Sequence, residues 1–382
     1  MTTKHIGVFT GSRSEYGLLV PVMRAIAAHD DLVLHVMSGD PDPGQPEFPL
    51  AAHVPITRAD ETPGSTPRAI GQGVLDLSDA LDHLALDALV IYGDRFEAFA
   101  AMIAATQRGL AVAHIEGGDL TQGGTLDDVV RHAMSKLAHL HFPTNEDAAD
   151  RLRAMGEEDW RITTAGFPPI DLIEAGDYAS PEEVTEALGL DPTRPILLFT
   201  QHPISTDPQA SATDIARCMA ALACFTETTQ IVLTHPNGDV GSEAIIDALA
   251  AFQTAHPATI LRPTLGRRLY HGVLNMIGNG QGACIGNSSS GLKETPAFRC
   301  PAVDIGPRQA GRLRGANVLH VESDTDAIAK AIRTALSDES LLETVRSAAN
   351  PYGKGNSGPT IARILATTDL KDTKLIQKQT IL

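Results

Sequence analysis

Short apolar runs alternate with amphipathic segments along almost the whole chain, and no other feature constrains the fold as strongly. Buried runs followed by helical spacing predict parallel strands whose connecting helices cover both faces of a sheet. A stretch rich in proline, aspartate and glycine at 39–67 has no period and predicts a mobile loop. The first series has predicted strands at residues 6–9, 32–37, 88–92 and 111–115, and helices at 18–28, 96–108 and about 126–137.

A second series of the same kind begins near residue 195 and predicts a second sheet. The polar stretch 176–186 between the two series predicts a linker. At 382 residues the chain is about twice as long as a typical domain. We therefore expect an α/β protein with two doubly wound domains, in which ligands bind beyond the carboxyl ends of the strands. The second series has predicted strands at 195–199, 230–233, 283–285 and 302–305, and helices at 268–277 and after 290.

The charge balance excludes two classes of partner. The chain has 47 acidic and 30 basic side chains, so its formal net charge is −17, and aromatic residues make up only 4%. Nucleic-acid binders and basic membrane-surface proteins need positive charge, and single-stranded nucleic acids also need aromatic platforms. We therefore expect neither nucleic acid nor membrane as a partner.

The cysteines and the apolar runs indicate the compartment. Four cysteines without CxxC spacing argue against disulfides and zinc ribbons and fit a reducing environment. No signal-peptide core and no apolar run of about 20 residues is present. The sequence predicts a cytoplasmic protein.

Acidic residues cluster where the first predicted sheet ends. Asp94 and Glu116 each come shortly after a predicted strand, and Asp127 opens the following helix. One such carboxylate is usually a helix cap or a solvated loop residue, but three at one edge favour a site. Arg131, one turn after Asp127, indicates either a surface ion pair or a cation that holds a carboxylate in place.

Two segments of the first series have both a ligand-binding and a structural interpretation. Residues 11–17, with Arg13, form a glycine- and hydroxyl-rich strand-to-helix turn that suits an anion, although a sharp turn with a solvated arginine explains it equally well. This turn is not GxGxxG, so no dinucleotide cofactor is expected. His139 and His141 alternate on a probable strand without a third ligand, and we predict packing or hydrogen bonding there rather than metal binding.

Hydrogen-bond donors follow two predicted strands of the second series. His202 follows one strand, and residues 286–294 follow another with three consecutive serines at the start of a helix. Serine hydroxyls and unpaired amides suit a diphosphate, whereas a simple helix cap needs only one serine. Leu292 stands where a P-loop requires lysine, so ATP chemistry is not expected. The candidate ligands for a nucleotide diphosphate and its ribose are Arg13, Arg95, His202, Ser288, Ser289, Ser290, Gly291, Glu294, Arg308 and Arg312.

Six motifs in this order resemble the hydrolysing UDP-N-acetylglucosamine 2-epimerases of the sialic acid and legionaminic acid branch. The resemblance extends over roughly residues 4–365, while the proline-rich segment 40–66 matches no motif of the family and leaves the sugar substituents open. The motifs lie at residues 11–17, 93–97, 114–119, 127–132, 286–291 and 350–356.

The resemblance implies the GT-B architecture, with the active site in the cleft between two Rossmann-like domains. The expected domains are residues 1–175 and 190–362, followed by a C-terminal segment, 363–382, that packs back on the first domain. A homodimer or homotetramer is also implied. Neither a metal nor another cofactor is expected.

The resemblance also implies roles for individual residues. Asp94, Glu116 and Asp127 match the catalytic carboxylates of the family, and His202 matches a histidine near the diphosphate. The diphosphate ligands match Ser288 and Ser289, the ribose ligand matches Glu294, and the basic residue on the nucleotide side matches Arg13.

Chemistry explains why the family needs several carboxylates. The C2 proton of the sugar becomes acidic only as UDP leaves C1, and the resulting glycal takes up water with a proton delivered to the opposite face of C2. Two faces require at least two acid–base groups. The sequence leaves three alternatives open: a 2,4-diacetamido-2,4,6-trideoxy sugar substrate, a non-hydrolysing epimerase or GT-B glycosyltransferase, and a non-catalytic nucleotide-sugar sensor.

Overall fold

The computed structural model describes residues 3–60, 62, 64–121, 127–204, 207–236 and 241–379 of the chain. The chain divides into two compact units. Unit 1 comprises Met1–Asp119, Leu126–Leu172 and Tyr352–Leu382, and unit 2 comprises Leu120–Thr125 and Ile173–Pro351. The sequence-based domain boundaries concern independent folding and stay predictions.

Unit 1 is built around a six-stranded parallel sheet with the strand order β3-β2-β1-β4-β5-β6. Its strands are β1 (Lys4–Thr10), β2 (Leu32–Ser38), β3 (Leu50–His53), β4 (Ala88–Tyr92), β5 (Ala111–Ile115) and β6 (Leu140–Phe142). Its first helices are α1 (Arg13–Ala27), α2 (Ser65–Asp82), α3 (Phe96–Thr106), α4 (Asp127–Leu137) and α5 (Glu146–Ala154). Helix α6 (Pro169–Glu174) leads into unit 2.

Unit 2 repeats the design with the strand order β12-β11-β10-β7-β8-β9. Its strands are β7 (Ile196–Thr200), β8 (Gln230–Thr234), β9 (Ile260–Arg262), β10 (Gly282–Gly286), β11 (Ala302–Ile305) and β12 (Val318–Val321). Its helices are α7 (Pro181–Leu188), α8 (Pro208–Ala223), α9 (Ser242–Ala255), α10 (Gly266–Asn279), α11 (Ser290–Lys293), α12 (Thr325–Ser337) and α13 (Glu339–Ser347). Both sheets are doubly wound, as predicted, with the reversal of strand order that creates binding sites at carboxyl ends.

The chain then returns to unit 1 with α14 (Ser357–Thr367) and α15 (Thr373–Ile376). Helix α14 packs on α1. Lys4 at the start of β1 donates to the carbonyls of Leu365 (3.2 Å), Ala366 (2.5 Å) and Thr368 (2.7 Å). Carbonyls at the end of a helix have no hydrogen-bond donor within the helix, and Lys4 supplies one. One lysine therefore joins the first strand to the last long helix.

Each sheet has its own apolar core. The fully buried strands β4 and β5 carry near-continuous apolar residues because helices cover both faces. In unit 1, helix α3 buries five alanines, and these small side chains let α2 approach it closely. In unit 2, β7 and β8 pack with α8, α9 and α12 around Phe199, Leu222 and Ile332.

Three local expectations differ from the structure. Helix α1 begins at Arg13 rather than near residue 18, because Ser12 caps it by accepting from the Glu15 amide at 3.3 Å. The expected loop at 39–67 contains the edge strand β3 and the start of α2. The expected linker at 176–186 contains the start of α7, where Ser180 and Glu183 form a reciprocal capping box.

No helix in the described part of the chain is both long and apolar enough to cross a membrane.

Candidate active site

Three carboxylates stand at the carboxyl edge of the unit 1 sheet, and we call Asp94, Glu116 and Asp127 the carboxylate edge. Strands β4 and β5 pair in parallel up to Tyr92 opposite Ile115, so the residues that follow them leave the sheet side by side. Asp94 lies two residues after β4, Glu116 directly after β5, and Asp127 is the first residue of α4. The parallel strands thus bring Asp94 and Glu116, which are 22 positions apart in sequence, to the same edge of the sheet.

Glu116 is held in an unusual backbone conformation. Its φ of +70° lies in the left-handed region, which costs a side-chain-bearing residue of order 1–3 kcal/mol. Its amide donates to the carbonyl of Phe142 at 3.1 Å, and the hydroxyl of Tyr92 donates to its carboxylate. The side chain is 4% exposed. The surrounding contacts therefore fix both the backbone and the carboxylate of Glu116.

Asp94 is held by Arg131, which is itself only 1% exposed. One arm of the guanidinium pairs with the Asp94 carboxylate, while Nη1 donates to the carbonyl of Asp119 at 3.0 Å and lies 3.5 Å from Asp128. The possibility of a surface ion pair is therefore wrong for Arg131. The buried cation holds a carboxylate in place, and that carboxylate comes from another element.

His114 supports the same turn from inside the sheet. Its Nε2 donates to the carbonyl of Gly93 at 2.7 Å, so the proton of the neutral ring lies on Nε2. Burial lowers the pKa of His114 to about 4 and keeps the ring neutral at pH 7. Its Nδ1 lies 3.4 Å from Ser135 Oγ on α4. A Cβ on Gly117 would lie 2.9 Å from that hydroxyl and 3.0 Å from Nδ1, so this close packing requires glycine.

A second group of acids lies beside the carboxylate edge, and sequence reasoning missed it. Glu15 is 5% exposed and accepts from the Gly11 amide at 2.6 Å, while Arg95 pairs with buried Glu97 at 2.9 Å. Burial raises the pKa of Glu15 to about 7, and Glu97 and Glu116 add to the rise although Arg95 opposes it. Glu15 therefore holds a proton near neutral pH, next to residues expected to do acid–base chemistry.

Arg13 is engaged by the loop after β2. Its amide donates to Asp40 at 2.6 Å, its Nε donates to the carbonyl of Asp42 at 2.6 Å, and its guanidinium also pairs with the Asp42 carboxylate. Both side chains are more than half exposed. An anion at this turn would compete with Asp42 for the arginine.

In unit 2, the residues after β10 form a loop that we call the serine loop, residues 287–291. Gly286 must be glycine, because its φ is +131° and a Cβ would lie 1.9 Å from the carbonyl of Thr200 on β7. Asn287 accepts from the His202 amide at 2.7 Å and donates to the His202 carbonyl at 2.9 Å. Asn287 thus joins the strand-end turn that carries His202 to the serine loop.

Two arginines also lie at this end of unit 2. Arg308 donates to the Asn287 carbonyl at 3.1 Å. Arg312 contacts the side chain of Gln309 at 2.9 Å, the carbonyl of Leu120 at 2.8 Å and the hydroxyl of Thr121 at 3.1 Å. The structure therefore gives both arginines a role in holding loops, whatever ligands they also bind.

Glu294 is a buried carboxylate with polar support. The hydroxyl of Ser290 donates to it at 2.5 Å, and His271 Nε2 lies 3.4 Å away on α10. Burial alone would raise the pKa of Glu294, but His271, Ser290 and Lys293 outweigh burial and lower it. Glu294 is therefore ionised and can accept hydrogen bonds from hydroxyl groups.

His139 and His141 have the hydrogen-bonding roles that the sequence predicted. The Val112 amide donates to His139 Nδ1 at 3.0 Å, and His141 Nε2 lies 2.9 Å from the Glu157 carboxylate. Among the residues that the structure describes, no cluster of three histidine, cysteine or acidic side chains has a metal-binding arrangement.

Comparisons with known proteins identify the family. The sequence profile described as UDP-N-acetylglucosamine 2-epimerase matches residues 28–366, which is most of the chain. The protein belongs to the UDP-N-acetylglucosamine 2-epimerase family. It is thus an enzyme of the nucleotide-sugar 2-epimerase family, and this part of the resemblance is confirmed, whereas the hydrolysing activity and the sialic acid and legionaminic acid branch stay predictions.

Two curated relatives are similar over nearly their full length. The UDP-N,N′-diacetylbacillosamine 2-epimerase (hydrolyzing) of Legionella pneumophila is 30% identical over 373 residues, which cover 94% of this chain and 95% of that protein. The UDP-N-acetylglucosamine 2-epimerase of Neisseria meningitidis serogroup B is 32% identical over 346 residues, which cover 87% and 88%.

Solved structures match the fold. The UDP-GlcNAc 2-epimerase from Neisseria meningitidis bound to UDP-GlcNAc superposes with a TM-score of 0.82 at 18% identity, covering 96% of this chain and all of that one. The glycosyltransferase WaaG superposes with a TM-score of 0.57 at 11% identity, covering 95% and 99%. The predicted GT-B-like fold with two parallel α/β sheets is confirmed.

Proposed function

We propose that this protein is a hydrolysing UDP-N-acetylglucosamine 2-epimerase that converts UDP-N-acetylglucosamine and water to N-acetylmannosamine and UDP. The observation that carries the proposal is the carboxylate edge. Asp94 is fixed by buried Arg131, Glu116 is kept in a strained conformation, and Asp127 opens the helix that carries Arg131. Strain retained at a carboxylate is typical of functional sites.

The chemistry assigned to the carboxylate edge has two stages. In the first, the C1–O bond breaks, its electron pair leaves with UDP, and a carboxylate takes the C2 proton, so a glycal with a C1–C2 double bond forms. In the second, water adds its hydroxyl to C1 and gives its remaining proton to a carboxylate, while another acid delivers a proton to the opposite face of C2. Two proton transfers on two faces require at least two of the three carboxylates.

The serine loop of unit 2 is assigned to the UDP part of the substrate. Hydroxyls and amides of Ser288 and Ser289 donate to the diphosphate as it leaves, and His202 supports it. The amide of Gly291, also a candidate ligand, instead donates to the Ser288 carbonyl at 3.1 Å and holds the loop. Glu294 accepts the ribose hydroxyls. Helix α11 spans only four residues, so hydroxyls and amides contribute more than a helix dipole does.

The product of one reaction in deuterium oxide tests the proposal. Incubation with UDP-N-acetylglucosamine and no acceptor is expected to yield UDP and free N-acetylmannosamine with one deuterium at C2, measured by NMR. A product without deuterium would contradict the elimination. An epimerised sugar still attached to UDP would indicate a non-hydrolysing enzyme, and slow release of N-acetylglucosamine would indicate a glycosyltransferase.

A second substrate has equal support from the relatives. The Legionella protein named for UDP-N,N′-diacetylbacillosamine and the Neisseria protein named for UDP-N-acetylglucosamine differ by only two percentage points in identity to this chain. The diacetylated sugar is a 2,4-diacetamido-2,4,6-trideoxy sugar, and its C2 chemistry is the same. Comparing kcat/KM for the two UDP-sugars decides between them, and a ratio above about a hundredfold would identify the preferred sugar.

Neutral variants of the carboxylates test their roles individually. Asp94→Asn, Glu116→Gln and Asp127→Asn are each expected to lower kcat by at least about a hundredfold, because each removes an acid–base group. Their affinity for UDP, measured by calorimetry, is expected to stay unchanged. Asp150→Asn, at an exposed carboxylate on α5, is the control. Wild-type turnover in any of the three variants would remove that residue from the mechanism.

A further inference from the structure

Lys378 closes the C-terminal end of helix α4, the helix that opens with Asp127. Its ammonium donates to the carbonyls of Ser135 at 3.0 Å, Lys136 at 2.9 Å and Ala138 at 2.7 Å. The last carbonyls of a helix have no partner within the helix and carry its negative partial charge. A cation therefore both donates hydrogen bonds to these carbonyls and neutralises their partial charge. These contacts join residues 240 to 243 positions apart.

A buried carboxylate fixes the ammonium of Lys378. Glu157, whose side chain is fully buried, lies 2.5 Å from Lys378 Nζ and also contacts Lys136 at 2.7 Å and His141 at 2.9 Å. Burial alone would raise the pKa of Glu157, but His141, Lys136 and Lys378 outweigh it and lower the pKa to about 2. The carboxylate is thus ionised at all working pH values, and its charge needs a cation beside it.

The segment that carries Lys378, residues 373–378, is anchored independently, and we call it the C-terminal clasp. The guanidinium of Arg161, which is almost fully buried, donates to the carbonyls of Lys374 and Leu375, both at 2.8 Å, and to the His139 carbonyl at 3.1 Å. The side chain of Leu375 is 1% exposed. The clasp is therefore anchored to unit 1 by contacts that do not involve Lys378.

Helix α4 transmits its position to the carboxylate edge through two contacts. Arg131 pairs with Asp94, as described above, and Ser135 Oγ lies 3.4 Å from His114, whose Nε2 donates to the carbonyl of Gly93, the residue before Asp94. A small shift of α4 along its axis would move Arg131 relative to Asp94 and Ser135 relative to His114. A misplacement of about 1 Å can lower turnover a hundredfold.

We propose that Lys378 is a positioning residue for the carboxylate edge, because it fixes helix α4 and thereby places Asp127, Arg131 and Asp94 for proton transfer. The inference rests on the proposed function in so far as these carboxylates transfer protons. Lys378 itself touches no reacting group. Its effect belongs to the chemical step and not to UDP binding, because the proposed ligands Ser288, Ser289, His202 and Glu294 belong to unit 2. The candidate ligands in unit 1, Arg13 and Arg95, pair with Asp42 and Glu97.

The test compares Lys378→Met with Lys371→Met in the full-length protein. Both variants lose one positive charge, but Lys371 is 80% exposed in its side chain and pairs only with Asp87 among the described contacts. Lys378→Met is expected to lower kcat between about tenfold and a hundredfold. The Kd of UDP stays at the wild-type value, and hydrogen exchange of the last turn of α4 becomes faster. Lys371→Met is expected to change none of these quantities.

Two further variants keep the test decisive if Lys378→Met does not fold. Lys378→Gln retains N–H donors without the charge, and Lys378→Arg retains both, so turnover is expected to rise from Met through Gln to Arg. Wild-type kcat in Lys378→Gln would overturn the proposal. So would a loss of UDP affinity equal to the loss of kcat, or faster exchange throughout unit 1, because either would indicate a general structural role.

The hydrogen-exchange measurement separates this proposal from the proposed function. If the wild-type protein epimerises neither UDP-sugar, the proposed function fails, while selective loosening of α4 in Lys378→Gln still supports the contact between clasp and helix. If the wild-type protein is active and the exchange of α4 is unchanged in Lys378→Gln, the positioning role fails while the proposed function stands.

Discussion

Glu116 combines a backbone conformation that suits glycine with a carboxylate that glycine lacks. The left-handed φ of +70° follows from the turn after β5, where the amide donates to Phe142 and Gly117 packs against His114 and Ser135. A residue with a Cβ is disfavoured in this conformation by roughly 1–2 kcal/mol. The backbone strain at Glu116 therefore supports the acid–base role that the proposed function assigns to its side chain.

Two truncations of Glu116 separate the backbone from the side chain. Glu116→Gly and Glu116→Ala both lose the carboxylate and its contact with Tyr92, so both are expected to be inactive. Glu116→Gly is expected to be the more stable by about 1 kcal/mol, because glycine adopts positive φ freely. Trp160, the only tryptophan of the chain, lies in unit 1 and reports its unfolding by fluorescence in a denaturant series. Equal midpoints would show that the conformation carries no strain.

Glu15 makes the stability of unit 1 depend on pH. Its folded pKa of about 7 exceeds the ordinary value of 4.5, so folded Glu15 keeps its proton between these pH values while the unfolded chain releases it. The free energy of unfolding therefore falls as the pH rises from 4.5 to 7, by on the order of 3 kcal/mol from this residue alone.

The substitution Glu15→Gln is expected to remove that part of the pH dependence. The variant should gain stability relative to wild type as the pH rises to 7 and keep a constant advantage above it, measured by Trp160 fluorescence at several pH values. The same substitution at Glu146, whose side chain is 70% exposed, should leave the pH profile of wild type unchanged. A Glu15→Gln profile parallel to wild type would contradict the protonated state of Glu15.

At the scale of elements, helix α4 connects most of the candidate acid–base machinery. It begins with Asp127, contributes Arg131 to Asp94 and Ser135 to the surroundings of His114, and ends on Lys378. A helix of 11 residues in water is marginal by itself, so these contacts, rather than helix propensity, determine where it lies.

Replacing Arg131 tests this dependence. Arg131→Met leaves the Asp94 carboxylate without its cation and is expected to lower kcat at least a hundredfold and stability by about 3–5 kcal/mol. Arg131→Lys is expected to recover most of the stability but less of the turnover, because one ammonium cannot reproduce the fork that reaches both Asp94 and the Asp119 carbonyl. Arg153→Met on α5, where the ion pairs are exposed, is the control. Wild-type turnover in Arg131→Lys would show that the fork is not required.

At the scale of the whole molecule, the two units are expected to respond differently to UDP. UDP at a hundredfold excess over its Kd adds about 2.7 kcal/mol to the stability of the state that binds it. The UDP ligands named in the proposed function belong to unit 2. UDP should therefore raise the calorimetric transition temperature less in Glu294→Gln than in wild type, whereas Asp94→Asn should show the full rise. An equal response of the two variants would contradict the division of roles. The expected homodimer or homotetramer stays a prediction, and light scattering measures it.

The net charge of −17 also acts at this scale. It disfavours polyanions at long range, but a nucleotide-sugar depends on local donors, and the serine loop, His202 and nearby Arg308 provide these within an acidic protein. Part of the negative charge comes from the proposed catalytic carboxylates themselves.

The sequence by itself determined the class of fold and the edge of the site. Buried apolar runs at regular intervals favour covered parallel sheets, and parallel strands end at a common edge, so the position of Asp94 and Glu116 at that edge could be predicted without a structure. The sequence did not predict the edge strand β3 or the start of α7, because they lie in polar or proline-rich segments where the hydrophobic periodicity is weak. Periodicity is a local property and reports only local structure.

Only the tertiary structure decided which charges meet. In the sequence Arg131 lies one turn from Asp127, but in the structure it pairs with Asp94. Glu15 looks like an ordinary acid in the first turn of a helix, and only its burial raises its pKa. Lys378 is one of several lysines near the C-terminus, and only the fold shows that it contacts α4. These pairings join residues far apart in the chain. Burial lowers the local dielectric constant, which strengthens the attraction between paired charges and raises the pKa of a buried carboxyl such as Glu15, and burial exists only once the chain has folded.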